Sequence, residues 1–195
     1  MNSGRSIRVA DVGDFEAHCR MTTVLEPAFD PRVVVPTVID IEASGFGRGS
    51  YPIEIGFVLP DGRGDCMLIR PADGWLHWDP AAESLHHISR DLLARHGQSI
   101  VEVVERLEAQ LHGKTVYSDG WGNDYSWLSA LYDAIDRRPG FRLDSLQKLL
   151  TADELDRWEA MKAIVAREVP RERHRASADA RLLQTTLMRL QGSGA

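Results

Sequence analysis

The stretch "VIDIEASG", residues 38–45, sets two carboxylates into an otherwise apolar strand pattern. Side chains two apart on a strand share a face, so Asp40 and Glu42 project together with Val38, while Ile39 and Ile41 go to the other side. The two acids are therefore neighbours. Like charges at a half-buried position raise each other's pKa and cost stability unless a cation, a proton or a hydrogen-bond network intervenes. A hard divalent cation with oxygen ligands is the economical answer. The alternative is a strand that ends at Asp40 and leaves both acids in solvent, because Gly45 signals that a loop begins nearby.

Around this stretch the chain reads as three strands followed by alternating helices and strands. "VVVPTVIDIEA" and "YPIEIGFVLPDGRGDCMLIRP" are rich in Val and Ile, and the second holds two strands joined at Asp61-Gly62, a β-meander opening. Helices follow over "DPAAESLHHI", "SRDLLARHG" with Ser89 as cap, and "SIVEVVERLEAQLHG". In the last of these Ser99 and Glu102 stand at capping-box spacing, and Ile100, Val103, Val104, Leu107 and Leu111 recur at helical spacing. "KTVYS" reads as a short strand, "NDYSWLSALYDAI" as a helix and "RRPGFRLDSLQKLL" as a connecting stretch. The helix "ADELDRWEAMKAIVAREV" ends at Pro170, and a last helix covers roughly 176 to 190. Residues 1–32 show no sustained period and read as a poorly packed extension, in which Met21 offers an alternative start. One domain is expected over 33–191, with 192–195 as a tail, and the element order implies a mixed sheet covered by helices.

The 195 residues suffice for a full hydrophobic core, and 43% apolar with 27% charged residues is an ordinary globular composition. No run is long enough for a membrane span and no secretory signal is legible, so the cytoplasm is the default compartment. Cys19 and Cys66 form no Cys-x-x-Cys pair, which suggests neither a disulfide framework nor a cysteine zinc site; both read as reduced thiols. A net charge of −6 argues against coating nucleic acid through bulk positive charge. It leaves room for an enzyme that acts on a strand end, which needs acids for cations and a local basic rim. Arg167, Arg171, Arg173 and Arg175 in "REVPRERHR" offer such a rim, or else a solvated face shared with Glu168 and Glu172.

Two further acids occupy special places. Asp124 is followed by Leu128, Leu131 and Ile135 on one helical face, so it heads a core-facing stripe; the rival role is a helix cap, which Asn123 can fill instead. Asp179 likewise precedes Leu182, Leu183, Thr186, Leu187 and Leu190. His174 lies five residues earlier and reaches Asp179 only from a loop before the helix.

Together these residues spell Asp40-x-Glu42, Asp124 and His174-x4-Asp179, which resembles the DEDDh branch of the DnaQ-like 3′-to-5′ exonucleases. The likeness runs from about Val35 to Leu190. "VIDIEASGFGRGSYPIEIGFVLPDG" is similar to the family's first motif, "WDPAAESLHHISRDLL" to its His-Gly-Ile-Thr segment, "DYSWLSAL" to the second motif, "FRLDSLQKLL" to its Asp-Thr-Leu stretch and "HRASADARLL" to the third motif. The departures lie mainly in the second motif, where "SDGWGND" replaces His-Asn-x-x-Phe-Asp and raises Asp119 as a rival to Asp124. Ser44 stands for the usual Thr and His87 for the Gly of the His-Gly-Ile segment.

The resemblance implies a ribonuclease H-like α/β fold, a mixed five-stranded sheet flanked by helices, with two divalent metal ions, Mg²⁺ or Mn²⁺. It makes Asp40, Glu42, Asp124 and Asp179 the metal ligands and His174 the base that takes a proton from the attacking water. Ser44, Ala43 and His86 fall at substrate-binding positions. The implied partners are single-stranded RNA or DNA 3′ ends, with a homodimer as an open assembly state, and the products are nucleoside 5′-monophosphates. Trp75, Trp78, Phe46 and Trp121 are the candidates for base stacking, against core or interface packing as the commoner use of such residues. The small size favours RNA or short oligonucleotides as substrate. The alternatives are a proofreading-type DNA exonuclease subunit and a catalytically dead nuclease-fold scaffold.

Overall fold

The structure, a computed structural model, describes residues 35–168 and 175–192. The expected extension over 1–32 lies outside these residues. Five strands, β1 (Thr37–Ala43), β2 (Pro52–Val58), β3 (Gly64–Leu68), β4 (Thr115–Ser118) and β5 (Arg142–Ser145), form one sheet in the order β3-β2-β1-β4-β5. The first three pair antiparallel as the meander expected from their turn signals, whereas β4 and β5 run parallel to β1. Six α-helices stand among the described residues: α1 (Pro80–His86), α2 (Arg90–His96), α3 (Ile100–Leu111), α4 (Trp121–Asp133), α5 (Ala152–Glu168) and α6 (Ala176–Gly192). None is long and apolar enough to cross a membrane.

The alternation in β1 divides the core. Ile39 and Ile41 join Ile55, Phe57 and Met67 on one face of the sheet and pack against Val104 and Leu107 of α3 and Leu128 and Leu131 of α4. Val38 and Val58 occupy the opposite face, beneath Trp158 of α5 and Leu183, Leu187 and Leu190 of α6. Burying each of those leucines contributes about 1.5–3 kcal/mol, enough to seat α6 on the face that also carries Asp40 and Glu42. A third cluster, Tyr51, Ile53, Leu68, Ile88 and Leu93, fastens α2 and the residue Ile88 before it to β2 and β3.

Local signals account for most helix ends. Ser99 and Glu102 form the expected capping box, and Ser89 caps α2. Three expectations need correction. "RRPGFRLDSLQKLL" is more than a connection: Arg142–Ser145 is the edge strand β5, followed by a 3-10 turn, Leu146–Leu149. Four residues are too few to display a period of two, and the pairing Val116↔Leu143 is non-local. Asn123 is not a cap, because α4 starts at Trp121 with Gly120 at the N-cap and no side-chain capping bond. Cys66 is buried and disulfide-bonded rather than reduced, while Cys19 lies outside the described residues.

Candidate active site

Asp40 and Glu42 share the α6 face of β1, as the alternation requires, and Asp179 enters from the first turn of α6. Oxygen atoms of these three carboxylates lie within 4.8 Å of one another. With Asp124 from α4 they line a cleft of about 420 Å³. The structure thus brings together four acids drawn from three separate elements. It also separates the two candidates of the second motif. Asp124 lines the cleft, whereas Asp119 is held by Lys162 of α5 at 2.9 Å and takes no part in the lining.

The electrostatics of the cluster are severe. Burial, reinforced by the charges of Asp124, Glu42, Asp179 and Glu54, holds the Asp40 carboxyl well above its ordinary range. Glu42 is pushed up to about 8, first by burial and then by Asp179, Glu54 and Asp124, with Arg175 opposing. Asp124 is raised to about 7 by burial, which outweighs a hydrogen bond from Ser118 Oγ. Without a counter-ion, protons are retained near neutrality. Among the described residues the donor set consists of carboxylate oxygens alone, which suits a hard divalent cation rather than a thiolate-seeking metal.

Glu54 and Gly56, within the stretch similar to the first motif, and Arg175, expected in the basic rim, hold this cluster in shape, a role the sequence did not assign them. Across β1 and β2, Glu42 stands opposite Glu54 and Asp40 opposite Gly56. Glu54 is fully buried, and its carboxylate accepts from Arg175 Nη2 at 2.8 Å, from Arg175 Nε at 3.1 Å and from the Ala176 backbone N–H at 3.0 Å. An acid at the N-terminus of α6 thereby satisfies an end N–H and complements the helix dipole. At Gly56 an added Cβ would lie 2.1 Å from Ser177 N, so only glycine lets the backbone of α6 approach β2 this closely. Together these contacts place Asp179 beside β1. The register slips between Glu42 and Ala43, a bulge that bends the strand as it leaves the acids.

The remaining sequence candidates fall in several places. Ala43 and His86 line the cleft, and His86 Nδ1 accepts from Ile88 N–H at 3.0 Å, which puts the proton of the neutral ring on Nε2. Ser44 is buried; its hydroxyl accepts from Tyr51 N–H and pairs with His77 Nδ1 at 2.9 Å, so it braces the turn and does not line the cleft. Gly45, at φ +132, packs against Asp79, where a Cβ would come within 2.6 Å. His87 occupies the left-handed region at the C-cap of α1 (φ 58), which is a physical reason for glycine in the family pattern at that position.

Among the aromatic candidates Phe46 lines the cleft and packs on Trp127, with ring centroids 5.7 Å apart. Trp127 and Leu85 also line it; sequence reasoning passed over them because both sit within apolar helical patterns. Trp75 and Trp78 pack against the third core cluster, and Trp121 donates to Leu143 O. Of the expected basic rim, Arg175 is engaged by Glu54 and Arg167 is exposed, while Arg171, Arg173 and the expected base His174 lie outside the described residues.

No protein-family model and no curated protein matches this chain. Solved structures do. A moderately thermophilic exonuclease I from Methylocaldum szegediense aligns over 81% of this chain and 41% of its own, at 17% identity and a TM-score of 0.62. The zinc-bound complex of E. coli exonuclease I with single-stranded DNA aligns over 83% of this chain and 41% of its own, at 12% identity and a TM-score of 0.64. A full-length 3′-exonuclease aligns over 81% of both chains at 15% identity and a TM-score of 0.59. The fold is that of these ribonuclease H-like neighbours, and the chain spans about two fifths of the exonuclease I proteins.

Proposed function

We propose that the protein is a metal-dependent 3′-to-5′ exonuclease of the DEDDh type that hydrolyses single-stranded nucleic acid to nucleoside 5′-monophosphates. The observation that carries this reading is the convergence of Asp40, Glu42 and Asp179 within 4.8 Å, facing Asp124 across one cleft. Ordinary folding offers no reason to crowd four acids there. The fold of the neighbours, some of them solved with single-stranded DNA, supports the same assignment.

Asp40, Glu42 and Asp179 would hold one cation, and Asp40 with Asp124 a second. Such ions supply Lewis-acid stabilisation of the phosphoryl oxygens during in-line displacement. The chain's own residues do the rest. Phe46, Leu85 and Trp127 offer an apolar rim against which the terminal base packs, with Ala43 and His86 along the wall. His174 takes a proton from the attacking water. The new P–O bond forms as the bond to the upstream 3′ oxygen breaks; that oxygen gains a proton, and the terminal nucleotide leaves with its 5′-phosphate. The neighbours solved with single-stranded DNA make DNA the first substrate to try, with RNA beside it.

The test is to incubate purified protein with 5′-labelled single-stranded DNA and RNA, with Mg²⁺, Mn²⁺ or chelator. The expected result is stepwise shortening from the 3′ end in the presence of metal. Absence of shortening of either strand would remove the assignment.

A further inference from the structure

The charge of the cleft is one-sided. Asp40, Glu42, Asp79, Asp124 and Asp179 all line it, and among the described residues no lysine or arginine does. A single strand carries a phosphate at every nucleotide, and the phosphates that extend beyond the acids need cations of their own. Two basic groups on the flanking elements are already engaged: Arg175 by Glu54, and Lys162 by Asp119 and Glu159.

Arg48 differs from both. It is exposed and forms no ion pair or hydrogen bond among the described residues. It stands in the loop between β1 and β2, two residues beyond Phe46. The loop is pinned to the cleft wall: Ser44 N–H donates to Tyr51 O at 2.9 Å, Ser50 Oγ–H to Gly47 O at 2.8 Å, and Trp127 Nε1–H to Ser50 Oγ at 2.9 Å. Gly47 and Gly49, at φ 94 and 83, take the left-handed turn on either side and leave Arg48 at the tip. The backbone that carries Arg48 is therefore held two residues from Phe46 of the apolar rim, and its side chain is exposed.

We propose that Arg48 binds a backbone phosphate of the single strand, upstream of the nucleotide held at the acids. The proposal rests on the exonuclease reading above and adds a substrate contact to it. A planar fork of donors matches a phosphate, and Arg48 offers a positive charge that the described lining of the cleft does not.

The test measures binding, not turnover. A labelled single strand of about eight nucleotides with phosphorothioate 3′ linkages is titrated in Mg²⁺ against wild type, Arg48→Ala and Arg48→Lys over a range of salt. Arg48→Ala is expected to weaken binding about tenfold and to flatten the slope of log K against log salt by about 0.7, the loss of one phosphate contact. Arg48→Lys restores the slope, and a nucleoside 5′-monophosphate binds wild type and Arg48→Ala alike. An Arg48→Ala variant equal to wild type in affinity and slope overturns the proposal, as does equal weakening for the monophosphate. A wild type that binds no strand at all overturns the exonuclease reading itself.

Discussion

The two flanks of the cleft are fixed by different means. On the β1–β2–α6 side, a buried carboxylate, a bidentate arginine and a glycine-permitted backbone approach lock Asp179 against Asp40 and Glu42. On the β4–α4 side, Asp124 rests on the Ser118 hydroxyl at a helix start with no side-chain cap, and the nearby Asp119 is drawn away by Lys162. The departure of "SDGWGND" from the family's second motif falls wholly on this second flank. The first flank therefore sets the geometry, and the second adjusts one acid within it.

The largest effect is expected from breaking the first flank. Glu54→Gln removes the charge of a fully buried carboxylate that Arg175 and the Ala176 N–H hold, and should cost about 3–5 kcal/mol of stability by denaturant titration. Activity should fall further than the unfolded fraction explains, because Asp179 loses its fixed position. A stable variant with full activity would show that the clamp is dispensable.

Acidity sharpens the contrast next. Glu42, ordinarily near 4.5, stands at about 8 in the fold, and Asp124, ordinarily near 3.8, at about 7. The folded state binds more protons than the unfolded chain across that window, so their contribution is fully present below the ordinary values and is lost as pH rises through about 7 to 8. In chelator, wild type should lose stability relative to Glu42→Gln between about pH 5 and about pH 9, and saturating Mg²⁺ should suppress that loss. Parallel pH profiles for the two proteins would refute the assignment.

The smallest effect belongs to the second flank. Ser118→Ala removes the hydrogen bond that lowers the Asp124 pKa and should raise that pKa further while costing about 1 kcal/mol. Titration of the Asp124 carboxyl by NMR checks the direction, and a fall in its pKa would contradict it.

Much of this was legible in the chain. The period-two placement of Asp40 and Glu42 and the stripes headed by Asp124 and Asp179 mark acids that face inward, because burial leaves a periodic trace. The capping box at Ser99 and Glu102 is a local bond and reads directly. The clamp was not legible, since Glu54 and Arg175 meet only through the pairing of β2 with α6, and nothing local in "IEIG" or "HRAS" announces a partner. Trp127 was hidden for a different reason. Its position on an apolar stripe is equally that of a core residue, and only the turn at Gly45 brings Phe46 against it.

Calorimetric titration of Mn²⁺ into the metal-free protein tests the central claim most directly. The account predicts saturable uptake by wild type and its loss in an Asp40→Asn variant that remains folded, since Asp40 stands beside both Glu42 and Asp124. Wild type without Mn²⁺ uptake, or Asp40→Asn binding as wild type does, would contradict it.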